Sequence, residues 1–526
     1  MFYSLSLQKF LFRLAIGLVV LQLAAVLAIL LAAPRIAVLG LVGDDAGYYL
    51  NVARNQCLGH GWTFDRIVPT NGYNPLYIAL IVPFLKAFGC DIATTWGVGM
   101  GISWSAVAIS TALFFTNVRC LLRERVAEPD LPAAAATTLY VAFIGWKGHY
   151  GLDAQLVLGA AMGWWRQMQH PAADQSRHLV LRGALLAIAA LARADSLALV
   201  GAAWTIEVAV ERRRAIRTVG IQLATFAVLV TPYLAWSIPR FGTWMPVSAR
   251  LKSTFPVIDV QASWSAFTST SLHRLDQVLL LATGLLASAI LTQTARRWWA
   301  DETTAGRPRL AATASLYLLI RIAFLLLFSR EDIQGGYVVL AHPYWMAVAA
   351  WAFSASASPS TALAFLGLGT VLWSGKATTM VRRWALIRDG EATTQLDLAD
   401  QIVQRTSADH ILYGGGFGLV GFASDRAWVN ADGVTNTLAY QDVLRDHALE
   451  PYLDRIGVDW LVFFDHPRDA DFGLTTSSSI YGTPARMNCT ASPNAFSVIL
   501  ADRDPNLRTW VVPRRDCHLA PAESTP

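Results

Sequence analysis

Apolar residues fall in long blocks through most of the chain, and charges gather between the blocks. From Leu14 to Ala33 only Gln22 breaks the apolar run, and Lys9 and Arg13 precede it. A run of that length suits the ~20 residues that cross a hydrocarbon core and is longer than a secretory leader, so it predicts a first span with a cytoplasmic N-terminus. The next run, Tyr77 to Phe88, holds only about a dozen residues and predicts a helix lying in the interface. Trp96 to Val118 is long enough to cross again. Arg119, Arg123 and Arg125 follow it and belong in the cytoplasm, which leaves the loop 34–95 on the outer face.

Leu131 to Trp146 predicts a third span, and a fourth descends from Ala154 to Arg166. The run from Leu179 to Val210 is interrupted by Arg193-Ala194-Asp195 and predicts two short helices that meet near the outer leaflet. A seventh span covers Val219 to Trp236, and others are expected near 276–294, 309–328, 335–353 and 361–377. The total is about eleven spans, an odd number that puts the C-terminus outside. The reading is an α-helical polytopic membrane module over 1–380. Residues 381–526 have the composition of a small α/β extracytoplasmic domain. There ILYGGG, RAWVNADG and VDWLVFFD read as strands, and YQDVLRDHALEPYLDRIG reads as an amphipathic helix before the last of them. GGGFG at 414–418 lacks the lysine and hydroxyl of a phosphate loop and reads as a turn after a strand.

Composition places the chain in the same class, since it is 54% hydrophobic and 15% charged with a mean hydropathy of +0.40. The net charge of +5 does not point to nucleic acid, because the arginines recur between apolar blocks rather than forming one patch. No zinc-ligand spacing and no internal repeat occurs. Cys57 and Cys90 share the first outer loop, and Cys489 and Cys517 share the C-terminal domain. They form two candidate disulfides in an oxidising compartment, whereas Cys120 falls on the cytoplasmic side.

The candidate chemistry is concentrated between Gly43 and Tyr77, in GDDAGYYLNVARNQCLGHGWTFDRIVPTNGYNPLY. Adjacent carboxylates at a membrane face cost desolvation and mutual repulsion, so Asp44 and Asp45 are expected to hold a cation or to do acid/base work. Asp153 is delivered to the same face. Arg193 and Asp195 sit at a helix junction inside the membrane, where either an internal salt bridge or a substrate role accounts for them. The loop FGTWMPVSARLKSTFP, 241–256, carries Arg250 and Lys252 beside Ser248 and Ser253, all donors to an anion. Tyr48, Tyr49, Trp62 and Tyr73 either stack on sugar faces or anchor the loop at the interface. Asn71, Gly72, Asn74 and Pro75 read as the turn that starts the interfacial helix.

GDDAGYYLNVARN, GHGWTFD, PTNGYNPLY, GLDAQL at 151–156, LARADSL at 191–197, FGTWMPVSARLKS at 241–253 and VNADGVTN at 429–436 together resemble one group. It is the GT-C superfamily of membrane glycosyltransferases, in the bacterial branch near the mannosyl- and arabinofuranosyltransferases. The resemblance implies a hexosyl- or pentosyltransferase of the bacterial inner membrane. Its donor is a polyprenyl-phosphate-linked sugar, and its acceptor is a hydroxyl on a glycan, lipid or protein at the outer face, with inversion at the sugar. On this resemblance Asp44 is the general base, and Asp45 is the alternative base or, with Asp153, the ligand of an optional divalent cation (magnesium, manganese or calcium). Asp153 stands where glutamate is more usual. Arg250, Lys252, Ser248, Arg193 and Arg330 are the residues expected to receive the departing phosphate, and Tyr48, Tyr49, Asn71, Tyr73 and Asn74 those expected to contact sugar or acceptor. The competing reading is a transporter or flippase for an anionic glycolipid, which needs charges spread through the membrane towards its inner face.

Overall fold

The computed structural model describes residues 5–123, 128–145, 150–169, 175–211, 214–261, 263–264, 285, 287–293, 307–329, 359–431, 433, 435–446, 448–465, 471–475, 486–490, 495–501 and 508–519. The chain is an α-helical polytopic membrane protein with a small α/β domain at its C-terminal end. The helices run α1 (Leu5–Ala32), α2 (Pro34–Ala37), α3 (Asp45–Leu58), α4 (Pro75–Phe88), α5 (Ile92–Leu122), α6 (Asp130–Ile144) and α7 (Ala154–Met168). They continue with α8 (Ser176–Ala192), α9 (Leu197–Glu211), α10 (Ala215–Phe241), α11 (Val247–Leu251), α12 (Arg307–Phe328) and α13 (Pro359–Arg388). Among the described residues three stretches are long and apolar enough to cross a membrane, Ser6–Ala32, Ile92–Leu122 and Ala215–Phe241. The spans expected near 276–294 and 335–353 lie largely or wholly outside the described residues.

Two indoles tie α5 to α1. Trp96 Nε1 donates to Leu30 O at 2.7 Å and Trp104 Nε1 to Leu23 O at 2.9 Å, so each partly apolar ring is packed while its N–H finds an acceptor. The short apolar run at 77–88 forms the helix α4. It starts with Pro75 at its first position after an extended Asn74, where proline's missing N–H costs nothing. The expected junction in 179–210 is present as well. Arg193 is extended, a single 3₁₀ turn covers Ala194–Ser196, and α8 and α9 end and begin on either side.

The helix α13 continues through residue 381 before the C-terminal domain begins. That domain adds α14 (Gln395–Arg405), α15 (Gly418–Ser424), α16 (Leu438–Arg445) and α17 (Leu449–Ile456). Its strands are β1 (Ile411–Gly414), β2 (Ala427–Asn430), β3 (Val458–Asp465), β4 (Asp471–Thr475), β5 (Arg486–Thr490), β6 (Phe496–Val498), β7 (Arg508–Pro513) and β8 (Cys517–Leu519). The main sheet has the order β2-β1-β3-β7-β6, parallel across β2-β1-β3 and antiparallel across β3-β7-β6. The three strands read from the sequence are β1, β2 and β3. The single amphipathic helix is in fact two, and Pro451 gives the reason. Proline fits the first turn of α17, whereas in one continuous helix it would remove a hydrogen bond and clash with the preceding turn. A second sheet, β4-β5-β8, sets Cys489 opposite Cys517, and Cys517 is disulfide-bonded.

Membrane module and C-terminal domain share one apolar core. It runs from Val26 and Leu30 of α1 through Tyr48, Tyr77 and Ile81 to Leu398, Leu419, Trp428 and Val511. The segment 43–77 lies in the middle of that core.

Candidate active site

Just before α7 the chain returns to the segment between α2 and α3. Val42 and Tyr150 form a parallel bridge, and Tyr150 N donates to Leu41 O at 3.1 Å. Gly151 follows with φ +81°, and a Cβ there would stand 2.5 Å from Ala46 Cβ, so only glycine lets the two segments approach this closely. Gly151 N donates to Ser103 Oγ at 3.0 Å. Ser103 Oγ donates to Tyr77 Oη at 3.0 Å, and Tyr77 Oη to Gly99 O at 2.7 Å. Helices α4 and α5 thereby fix the backbone that carries Asp153.

Asp153 is fully buried and is the hub of a polar cluster. Its Oδ2 accepts from Tyr49 Oη at 2.5 Å and from Asn74 Nδ2 at 2.6 Å, and its Oδ1 faces Arg193 Nη1 at 3.2 Å. Asn74 Oδ1 in turn accepts from Ala194 N at 3.3 Å. Arg193 reaches Asp195 with Nε and Nη2, each at 3.3 Å, and Arg321 Nη1 pairs with Asp195 Oδ2 at 3.1 Å. Two carboxylates thus alternate with two guanidinium groups, the neutral arrangement that buried charge requires. Residues from α3, the turn before α4, the start of α7, the α8–α9 junction and α12 meet here. Of the two accounts of Arg193, the internal salt bridge is the one the geometry contains.

The other expected site residues are placed as follows. Asp44 is half-buried and its Oδ1 accepts from Leu419 N at 3.1 Å, while Asp45 is exposed in the first turn of α3. Tyr48 is buried with its ring edge-on to Phe64 at 5.1 Å, and buried Tyr73 is stacked on Trp62 at 6.2 Å. Asn71 Nδ2 donates to Ser237 Oγ at 3.0 Å, and Val247 N donates to Asn71 O at 3.3 Å. That contact seats α11, which carries half-buried Ser248 and exposed Arg250, on the turn that ends at Asn74. Lys252 is half-buried just beyond it. Thr254 N donates to Phe328 O at 2.7 Å and Ser253 bridges Ser329, so the same loop is held at the end of α12. Arg330 lies outside the described residues. Cys57 and Cys90 are disulfide-bonded.

A divalent cation does not fit Asp153, because both its oxygens are already taken, one of them by a guanidinium. Among the described residues no group of three or more His, Cys, Asp or Glu side chains stands together to hold a metal.

A seam of contacts joins this region to the C-terminal domain. Arg54 Nη1 and Nη2 reach Asp425 at 2.5 and 3.0 Å, and Arg66 pairs with the same carboxylate. Burial pushes the Asp425 carboxyl up, but the hydrogen bonds and charges of Arg54 and Arg66 outweigh it and hold the group below its ordinary value. Arg35 bridges Asp397 at 2.5 Å and Asp400 at 2.6 Å, and Thr70 Oγ1 donates to Asn436 O at 3.3 Å. Gly47 and Gly418 bring the two backbones together, since a Cβ on Gly47 would fall 2.0 Å from the Gly418 carbonyl carbon.

Sequence reasoning passed over Arg321 and the buried pair Arg182–Glu207, where Gln222 Nε2 also donates to Glu207 Oε2 at 2.6 Å. The signal was present in each case, an ionisable residue inside an apolar helical run. The spans therefore hold more charge than the sequence reading allowed. Here that charge is locked in pairs between neighbouring helices.

No protein-family model and no curated protein matches the chain. Solved structures do. ArnT from Cupriavidus metallidurans bound to undecaprenyl phosphate is similar at a TM-score of 0.56 and 15% identity, over 94% of this chain and 98% of that one. Its apo form is similar at 0.55, with the same identity and coverage. The apo oligosaccharyltransferase of Archaeoglobus fulgidus gives a TM-score of 0.49 and 11% identity over 85% of this chain and 69% of that chain.

Proposed function

Because the chain has the fold of the GT-C membrane glycosyltransferases, we propose that it is an inverting glycosyltransferase. It would take its sugar from a polyprenyl-phosphate carrier and pass it to an acceptor hydroxyl at the outer face of a bacterial inner membrane. The observation that carries the reading is the meeting, at Asp153, of motifs that lie 104, 79 and 40 residues from it in sequence. Tyr49 comes from GDDAGYY, Asn74 from PTNGYN, Asp153 from GLDAQL and Arg193 from LARADSL. ArnT, whose fold the chain shares, was solved with undecaprenyl phosphate bound, which suits a lipid-phosphate donor.

In the proposed reaction a carboxylate at the start of α3 accepts the proton of the acceptor hydroxyl. The acceptor oxygen attacks the anomeric carbon from the side opposite the phosphate. The bond between that carbon and the phosphate oxygen breaks, and its electron pair leaves with the polyprenyl phosphate. A positioned base contributes roughly a hundredfold to ten-thousandfold. Arg250 and Lys252 meet the charge that develops on the phosphate, with Ser248 beside them. Arg193 is committed to Asp153 and Asp195 and is not assigned to the phosphate. Asp153 holds Tyr49 and Asn74 in place.

The test is transfer by purified protein in detergent, supplied in turn with polyprenyl-phosphate hexoses and pentoses and a mixed acceptor panel. Product from one donor class, of opposite anomeric configuration, supports the reading. Binding of those lipids with no product from any of them would overturn it in favour of a transporter.

A further inference from the structure

The two adjacent acids of α3 face different parts of the molecule. Asp44 occupies the N-cap position with helical backbone, yet its side chain caps no N–H of its own helix. It crosses to the C-terminal domain, where its Oδ1 takes the Leu419 N–H at 3.1 Å. Residues three and four further along a helix share a face, and for Asp44 these are Gly47 and Tyr48. Both lie against the same partner. A Cβ on Gly418 would stand 2.4 Å from Asp44 O and 3.2 Å from both Tyr48 N and Tyr48 Cδ1. Asp45 is exposed, and its neighbour four residues on is Tyr49, whose Oη holds Asp153. Successive residues point about 100° apart on a helix of 3.6 residues per turn, so docking the Asp44 face turns the Asp45 face towards the Asp153 cluster.

We propose that Asp44 is a positioning residue, which locks the first turn of α3 onto the C-terminal domain, and that Asp45 alone is the general base. The proposal rests on the transferase reading. A general base must come within hydrogen-bond reach of the acceptor hydroxyl, and Asp45 is the acid of the pair that is open to it. The C-terminal domain then serves the chemistry directly, because its GGGFG turn, read from sequence as a plain turn after a strand, is the socket that orients the helix carrying the base.

Asparagine separates the two roles. Asp44→Asn keeps an oxygen to accept from Leu419 N and loses only the charge, so transfer stays within about fivefold of the unchanged protein, the difference between a charged and a neutral hydrogen bond. Asp44→Ala removes the acceptor and lowers kcat much further. Asp45→Asn lowers kcat by roughly a hundredfold to ten-thousandfold and abolishes the acidic limb of the pH–rate profile, which Asp44→Asn retains. Loss in Asp44→Asn as deep as in Asp45→Asn, or an acidic limb that survives in Asp45→Asn, overturns the assignment while leaving the transferase reading standing. Hydrogen exchange at the Leu419 amide needs no turnover. Protection kept in Asp44→Asn and lost in Asp44→Ala supports the docking, and protection unchanged in Asp44→Ala sinks it, even if no donor is ever turned over. Should Asp44→Ala fail to fold, the comparison of the two asparagine variants still decides.

Discussion

Arg66 and Asp425 form an ion pair across the seam between the first loop and the C-terminal domain, and among the described residues they are the two non-glycine positions with positive φ, at 65° and 52°. L-residues pay for that backbone conformation, so it persists where surrounding contacts impose it. Asp425 ends α15 and Arg66 sits in the loop that α3 feeds. Arg54, on α3 itself, grips the same carboxylate. The two strained positions and the buried arginine thus clamp the loop, and with it the helix carrying Asp45 and Tyr49, onto the domain behind it.

This clamp predicts an acid-sensitive fold. The carboxyl of Asp425 titrates below its unfolded value near ~3.9, so its contribution is complete above that value and is lost as pH falls through the folded one. Asp397, opposed by burial but held down by Arg35 and Thr394, shifts in the same direction. Asparagine tolerates left-handed backbone, which makes Asp425→Asn a charge test with the conformation kept. The unchanged protein should melt higher than Asp425→Asn near neutrality, and the gap should narrow progressively as pH falls below the ordinary carboxylate value. A gap of equal size at both ends would remove the ion pairs from the account.

Asn74 is expected to matter beyond its place in a turn. Its amide supplies one of the two side-chain donors to Asp153 Oδ2, and its oxygen fixes the N–H of Ala194 at the α8–α9 junction. Asn74→Ala leaves Asp153 with an unmet acceptor site, a cost of about 1–3 kcal/mol, measurable by denaturant unfolding in detergent. Transfer should fall along with it, because Tyr49 loses the group that donates to its oxygen.

The architecture was legible where physics acts locally. The pattern of apolar and polar positions revealed a short helix over 77–88, the interruption at 193–195 and the three strands that became β1, β2 and β3. Long-range geometry was not legible. That Asp44 and Asp45 part company depends on Gly418 approaching Gly47 across 370 intervening residues, and a glycine in a loop does not announce what packs on it. From sequence, Tyr73 and Trp62 read as rings that either stack on sugar or anchor the loop, and their packing against each other was not legible there. Arg321 was missed because it stands in an apolar stretch of α12 with no charged residue beside it, and its partner Asp195 lies far off in sequence at the α8–α9 junction.

Arg321 therefore makes a sharp test of the cluster. It is nearly buried and pairs with Asp195, which also holds Arg193. Arg321→Met preserves the apolar stem and deletes the charge, leaving two carboxylates with one guanidinium. Removing one member of a buried ion pair costs about 3–5 kcal/mol, so the variant should unfold at clearly lower denaturant. A second change, Asp195→Asn, should recover part of that loss, since it removes the excess negative charge. Additive losses in the double variant would show that the two groups do not act as a pair.

The Cys57–Cys90 disulfide ties the end of α3 to the segment just before α5, across 33 residues that include Asn71 and Asn74. Closing a loop of that length restricts the unfolded chain by an amount worth about 3–4 kcal/mol in the chain-entropy account. The bond also holds α3 against the turn that supplies Asn74, so its loss should reach the site as well as the fold. Cys57→Ser with Cys90→Ser is expected to lower unfolding stability by about 2–4 kcal/mol and to reduce transfer. Reductant should bring the unchanged protein to that level or below it, and any further loss in the double variant on reduction would report the bond made by Cys517. A double variant as stable and as active as the parent would mean that the seam and the Asp153 cluster hold the loop without the bond.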